Sequence, residues 1–327
     1  MTKVRIVLQE KGLYRIAGDK GEKAAAVSGK FQYHAATVSE YPAVGDYVMA
    51  DWNEAGGNAV IHEVLPRKSV FIRKAAGEGR QEQVVAANVD TLFICMSLNN
   101  DYNLRRLERY LSIAWDSGAV PVVVLTKADL CDDLESKLLE VSAVAAGVDI
   151  LVTSVDEAEG YEKVLSYIGE DKTVAFIGSS GVGKSTLINR LLGENRLGTN
   201  GLRNDDKGRH TTTHRELIVL PTGGAVIDTP GMRELGMWDA VEGIERTFAD
   251  IEELAEGCRF GDCTHTREPG CAIRRALDEG ELSMDRWMSY QKLKAENAYM
   301  EDSESYLAAK QQKFKEIARY NKANRKR

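Results

Sequence analysis

At 327 residues the chain is long enough for two or three domains of about 100–200 residues each, and its 43% hydrophobic content supplies a sizeable core. With 43 Lys and Arg against 50 Asp and Glu the formal net charge is -7, so overall charge gives no case for nucleic acid. Five cysteines, an odd number behind a charged start ("MTKVRIVLQEKG"), argue against an exported disulfide framework and leave metal binding or burial as their uses. The longest apolar run, "AVPVVVL" at 119–125, is too short to span a bilayer, so a cytoplasmic protein with no membrane association is expected.

From residue 1 to about 75, short runs alternate apolar and polar positions ("KVRIVLQ", "LYRIAG", "GDYVMADW", "NAVIHEVL") between Gly, Pro and Asn punctuation. That pattern predicts a small antiparallel barrel or sandwich. "AAGEGRQEQ" at 75–83 reads as a linker. Beyond it, "VDTLFICMS", "AVPVVVLT", "VDILVTS" and "KTVAFIGSS" are continuous apolar strands separated by helix-period segments, which predicts a parallel sheet in an α/β domain over 84–240. Residues 193–213 have no period, and "HRELIVLP" and "GAVIDTPG" form a hairpin-like pair joined through Thr222-Gly223. After Val241 a mostly helical third domain, 241–327, is interrupted by a Cys/His cluster and closes with a long charged helix from about 283.

Four stretches of the central domain carry chemistry. "GSSGVGKST", from Gly178 through Ser179, Ser180, Gly181, Val182 and Gly183 to Lys184, Ser185 and Thr186, follows one strand and opens a helix. Glycines there let backbone N–H groups wrap phosphates at the positive end of the helix. Lys184 would bridge the β- and γ-phosphates, and the Ser185 hydroxyl would bind Mg²⁺. Asp228, closing the strand of "VIDTPG", would hold Mg²⁺ through water, and the Gly231 N–H would meet the γ-phosphate. "TKAD", Thr126 to Asp129, selects the base: guanine presents N1–H and an exocyclic amine, two donors that the Asp129 carboxylate accepts together, while Lys127 covers the ring. "VTSV" at 152–155 would add the last loop near the base, with Ser154 the best candidate. The base-reading half precedes the phosphate half, the order of a circularly permuted GTPase, since a sheet held by spatial contacts can be cut open elsewhere.

With these motifs the sequence resembles the bacterial ribosome small-subunit-dependent GTPase A family along essentially the whole chain. The resemblance implies an N-terminal OB-fold barrel, the permuted P-loop GTPase domain carrying "TKAD", "GSSGVGKST", "GRHTTT" and "DTPGMRE", and a C-terminal zinc-binding domain. It implies a late assembly factor of the small ribosomal subunit, binding rRNA, whose hydrolysis of GTP to GDP that particle stimulates. Through it His210, in "GRHTTT", becomes a candidate for catalysis, and Thr212 or its neighbour Thr213 the switch threonine on Mg²⁺. Met232 stands where Ras-like enzymes carry a water-orienting Gln, and an apolar side chain cannot align water, so intrinsic hydrolysis should be slow.

Cys258, Cys263, His265 and Cys271 bring three thiolates and an imidazole into fourteen residues, the donor set of one closed structural Zn²⁺ site. The resembled family has the same Cys, Cys, His, Cys arrangement. Cys95, in an apolar strand, reads as core; Cys131 has no assigned role. Three basic surfaces offer themselves to RNA: Arg67, Lys68, Arg73 and Lys74; Arg259, Arg267, Arg274 and Arg275; and the tail from Lys310 onward. A monomer is expected. Two rivals remain, a P-loop small-molecule kinase and a constitutive RNA-binding scaffold with nucleotide as structural glue.

Overall fold

The computed structural model describes residues 1–10, 12–54, 56–74, 82–154, 158–197, 215–221, 223–228 and 240–299. They fall into two compact units, Met1–Gly236 and Met237–Arg327.

In the first unit, β1 (Thr2–Gln9), β2 (Tyr14–Gly18), β3 (Gly21–Val27), β4 (Tyr47–Asp51) and β5 (Ala59–Val64) close into a barrel in the order β1-β2-β3-β5-β4-β1. This is the OB-fold order, with the short helix α1 (Gly29–His34) between β3 and β4. Closure follows from the alternation in the sequence. Val4, Ile6, Tyr14, Ile16, Ala25, Val48, Ala59 and Ile61 all turn inward and are buried, while the opposite residues meet solvent. All pairings are antiparallel except β3 with β5, which runs parallel. Asp46, fully buried beneath the barrel, is clasped by the Arg67 guanidinium at 2.8 Å to each carboxylate oxygen and by the Ala43 N–H at 2.8 Å.

β6 (Val70–Lys74) and β7 (Glu82–Ala87) pair antiparallel, so Glu82 and Gln83, expected in a linker, open a strand. The rest of the unit is an α/β sheet of β8 (Thr91–Ser97), β9 (Val120–Thr126), β10 (Asp149–Val152), β11 (Thr173–Ile177), β12 (Arg215–Val219) and β13 (Ala225–Asp228), in the order β10-β9-β8-β11-β13-β12. The first five in that order are parallel, and β12 turns back on β13 as the expected hairpin. Helices α2 (Leu104–Ser117), α3 (Leu134–Val144), α4 (Ala158–Leu165) and α5 (Lys184–Leu192) alternate with the strands. Their ends are written in sequence: Asn103 caps α2 by accepting the Arg106 N–H at 3.0 Å, Asp133 caps α3 through Ser136, and Gly118 ends α2 at φ +81°. Every residue of β8 and of β11 is buried, which explains their unbroken apolar reading. Cys95 packs in this core as expected, 2% exposed, and burial pushes its thiol up to about 12.

Two features join barrel and sheet. β1 pairs antiparallel with β12 through Leu8 opposite Glu216 and Gln9 opposite Arg215, making one continuous eleven-stranded sheet. Arg215 then donates to Val84 O at 3.1 Å and Gln83 Oε1 at 3.0 Å, tying in β7, and burial beside Arg73 lowers its guanidinium to about 10.

The second unit holds α6 (Val241–Thr247), α7 (Ala249–Glu256), α8 (Ala272–Glu279) and a helix described over 284–299. Arg286 grips Asp250 with two bonds of 2.7 and 2.6 Å and donates to Thr247 O at 3.0 Å, fixing the last helix against the first two. No helix among the described residues is long and apolar enough to cross a membrane.

Candidate functional site

The parallel strands present their C-terminal ends at one edge of the sheet. Strand order reverses between β8 and β11, because β8 continues outward to β9 and β10 and β11 continues the other way to β13. Crevices at such a switch point are where α/β sheets bind ligands, and there the loop Gly178–Gly183 rises from β11 and enters α5. Gly178, Gly181 and Gly183 take φ of +152°, +79° and +101°, conformations that L side chains rarely adopt. A Cβ on Gly178 would run into the Cys95 carbonyl and lie 3.2 Å from Val182 Cγ2. Gly183 caps α5 without a side chain, so the first N–H groups of that helix have no side-chain cap and face the loop. Lys184 folds back, its Nζ donating to Gly178 O at 2.6 Å and Ser179 O at 2.5 Å. This is a cradle for phosphates with a buried ammonium at its floor. Ser185 and Thr186 occupy the first turn of α5, and Asp228 ends β13, the strand beside β11, so carboxylate and hydroxyl reach the same edge.

The second half of the site follows β9. Lys127 adopts a left-handed φ of +58° and launches a single 3-10 turn, Ala128–Leu130, that carries Asp129. Ser154 Oγ, after β10, donates to Asp129 Oδ1 at 3.1 Å, and the Ala128 N–H reaches Thr153 O at 3.3 Å. The Thr126 hydroxyl donates to Val182 O at 2.6 Å, stapling this loop to the phosphate cradle. The geometry thus gives Thr126 and Ser154 a common use: each holds a neighbouring loop in place.

In the second unit the four ligand atoms of Cys258, Cys263, His265 and Cys271 lie within 4.8 Å of one another. A tetrahedral zinc with Zn–S about 2.3 Å and Zn–N about 2.0–2.1 Å needs S–S edges of about 3.8 Å and S–N edges of about 3.5 Å. Cys258 and Cys271 stand 3.9 Å apart, and each sulfur is 3.5 Å from His265 Nδ1. The donor set therefore fits one closed structural zinc. Its surroundings also suit thiolates: the Ala272 N–H at the start of α8 donates to Cys258 Sγ at 3.3 Å, and the Arg274 N–H to Cys271 Sγ at 3.5 Å. Burial works to raise the Cys258 thiol, but the donors from Ala272 and Ile273 outweigh it and hold the thiol below its usual range. His265 reaches the cluster through a left-handed φ of +59° and packs edge-on against Trp287. Glu268 closes the ligand loop by accepting from the Thr264 hydroxyl and from the N–H groups of Thr264, Thr266 and Arg267; the Thr264 hydroxyl first, with the backbone N–H groups of Glu268, Arg267 and Thr264, holds its carboxyl at about 2.

Residues 64–238 match the RsgA GTPase family. The chain is 53% identical over 297 residues to "Small ribosomal subunit biogenesis GTPase RsgA 2" of Lactiplantibacillus plantarum, covering 90% of this chain and 83% of that protein. It is 45% identical over 325 residues to "Small ribosomal subunit biogenesis GTPase RsgA 1" of Oceanobacillus iheyensis, covering 98% and 93%. The chain belongs to the RsgA GTPase family. Among solved structures, YjeQ from Thermotoga maritima superposes with a TM-score of 0.66 at 26% identity, over 89% of this chain and 96% of that one. The circularly permuted GTPase YloQ gives 0.64 at 26%, over 93% and 96%. The RsgA GTPase fold is therefore the permuted one that motif order anticipated, with the OB barrel N-terminal to it in the chain and a Cys/His-bearing helical region C-terminal to it.

Within this GTPase the sequence-predicted residues divide. Lys127, Asp129, Ser154, the loop Gly178–Gly183, Lys184, Ser185 and Asp228 converge on one edge of one sheet. His210, Thr212, Thr213, Gly231, Met232 and the tail from Lys310 lie outside the described residues. Of the first basic surface, Arg67 is turned inward: besides Asp46 it donates to Ser39 O at 2.8 Å and Tyr41 O at 2.9 Å. Its donors are thus taken up within the protein. Lys68 pairs with Asp90 at 2.5 Å and Arg73 donates to Gln83 Oε1 at 3.2 and 3.1 Å. By contrast Arg259, Arg267, Arg274 and Arg275 around the zinc cluster are all exposed. Sequence reasoning missed Asp101, which accepts a bond from Ser179 of the cradle; its position just past an apolar parallel strand was the available signal.

Proposed function

We propose that this GTPase serves the biogenesis of the small ribosomal subunit, binding rRNA on that particle and hydrolysing GTP faster in its presence. The observation that carries the reading is the pairing of a phosphate cradle at β11 with a guanine-reading loop at β9 on one sheet edge, in a chain 53% identical to a protein named for that process. In this reading Asp129, oriented by Ser154, accepts both donors of guanine while Lys127 covers the ring. Lys184 leaves its loop carbonyls for the β- and γ-phosphate oxygens, and the N–H groups of Ser179 to Gly183 and the α5 N-terminus neutralise the remaining charge. Ser185 and Asp228 hold Mg²⁺, with Thr212 or Thr213 and the Gly231 N–H completing the γ-phosphate side. Bound there, magnesium would supply positive charge that offsets the phosphate oxygens.

Met232 leaves the attacking water without an amide to align it, so basal turnover is slow. His210 is then placed by the ribosomal particle, which completes the site. One zinc, held by Cys258, Cys263, His265 and Cys271, folds the C-terminal module whose exposed arginines meet phosphate backbone. The protein acts in the cytoplasm as a monomer. GTP turnover measured with and without purified small subunits tests this: a rise of at least about tenfold is expected from closing a catalytic constellation, and equal rates would defeat the reading.

A further inference from the structure

The crevice between β8 and β11 has two walls. One is the phosphate cradle. The other is the segment 97–103, where β8 ends and α2 begins, a stretch outside the motifs that define the nucleotide site. Asp101 lies on this wall and its carboxylate is bonded on both sides. Ser179 Oγ, from the second position of the cradle, donates to Asp101 Oδ2. Arg106 NH1 donates to Oδ1 at 2.9 Å and Oδ2 at 2.8 Å. The backbone of Asp101 is fixed as well, its N–H donating to Asn99 Oδ1 at 3.1 Å, the same oxygen that accepts from Ser97 Oγ at 2.8 Å.

Ser179 is also the residue whose carbonyl accepts from Lys184 Nζ at 2.5 Å. A short chain of bonds therefore runs Arg106, Asp101, Ser179, Lys184, from the first turn of α2 across the crevice to the buried ammonium. We propose that Asp101 is a positioning residue for GTP hydrolysis: held by Arg106, it fixes the phosphate cradle at Ser179 and so sets where Lys184 meets the β- and γ-phosphates. The proposal rests on the assignment of this crevice to GTP.

The arrangement has a physical requirement that the structure meets. A bare carboxylate beside a triphosphate would repel it, and Arg106, bonded to both Asp101 oxygens, supplies the compensating charge. Burial works to raise the Asp101 carboxyl, but the bonds from Ser179 and Arg106 outweigh it and keep the group ionised, with Lys127 of the base-reading loop acting in the same direction. Asp101 thus stands between the two halves of the site, and a displaced cradle costs rate because Lys184 acts most strongly where charge develops in the transition state.

The alternative is that the Asp101–Arg106 pair only braces the start of α2. Ser179 separates the two, since it belongs to the cradle and not to α2. In the full-length protein, kcat and KM for basal GTP turnover and the thermal midpoint are measured for wild type, Asp101→Ala, Ser179→Ala and the double variant. Loss of a charge-assisted bond predicts a fall in kcat/KM of about tenfold for Asp101→Ala, most of it in kcat. Ser179→Ala should fall similarly, the double variant no further than Asp101→Ala, and the melting temperature should hold. Turnover within about twofold of wild type for either single variant, losses that multiply in the double, or loss of rate only together with loss of stability would overturn the proposal. A wild-type chain that binds no GTP would instead remove the functional reading beneath it.

Discussion

Single side chains in this protein do their work through the loop they hold. Ser154 Oγ fixes the Asp129 carboxylate at 3.1 Å, and in the function proposed above that carboxylate offers its two acceptors to guanine. Asp129→Asn replaces one acceptor by a donor, which matches xanthine, whose ring offers N1–H beside a carbonyl. GTP affinity should drop by about 10–100-fold, the worth of a lost bond to a charged group, and XTP affinity should rise, with inorganic phosphate contacts untouched; equilibrium binding of both nucleotides checks this. Arg67 is tied to the protein itself through Asp46. Arg67→Ala leaves the fully buried Asp46 without its cation, which should cost the barrel about 3–5 kcal/mol, read by urea denaturation. Loss of subunit affinity with stability unchanged would return Arg67 to the RNA surface. Sequence could identify Asp129 from its motif, yet it placed Arg67 among exposed cations, because the partner that buries it, Asp46, sits in the loop before β4, 21 positions away.

Elements carry the next level of constraint. The cradle is a loop whose glycines are required by close approach as well as by phosphate: Gly178→Ala would set a Cβ against the Cys95 carbonyl at a φ of +152°. The loop must then shift, and nucleotide affinity should fall by at least about tenfold while the sheet, measured by circular dichroism, persists. The Cys/His loop is held differently. Its candidate ligands span fourteen residues and only the last, Cys271, begins a helix, so a bound zinc would supply the order that secondary structure does not. Elemental analysis should find one zinc per chain, and its removal by a chelator should reduce helicity in the C-terminal unit; unchanged helicity would show that the metal is dispensable for folding. The Glu268 carboxyl, depressed to about 2, adds its stabilisation in full above the ordinary glutamate range and loses it progressively as pH falls from that range through about 2, which an acid titration of the folded unit would register.

Across the whole molecule, the permutation leads the "DTPG" segment straight through "MRELGMWDA" into the unit that carries the Cys/His cluster, so nucleotide state has a covalent route to the module proposed above to meet RNA. Hydrogen exchange of that unit should differ between GTP- and GDP-bound protein, and equal exchange would sink the coupling. The sequence by itself determined the periodicities, the strand-loop-helix context of the phosphate cradle, the base-reading turn and the zinc donor set, because each is written in residues close together along the chain. Boundaries were less legible: the stretch read as a linker ends in a strand, since Glu82 and Gln83 pair with Lys74 and Arg73. Only tertiary structure decided that the barrel shares a sheet with the GTPase core through β1 and β12, that Arg67 faces inward, and that Asp101 meets Ser179 across 78 positions of sequence. The reason is physical: hydrogen bonds and ion pairs between elements depend on register and strand order, and neither follows from local propensity when β8 and β11, neighbours in space, are separated by the whole base-reading half of the domain.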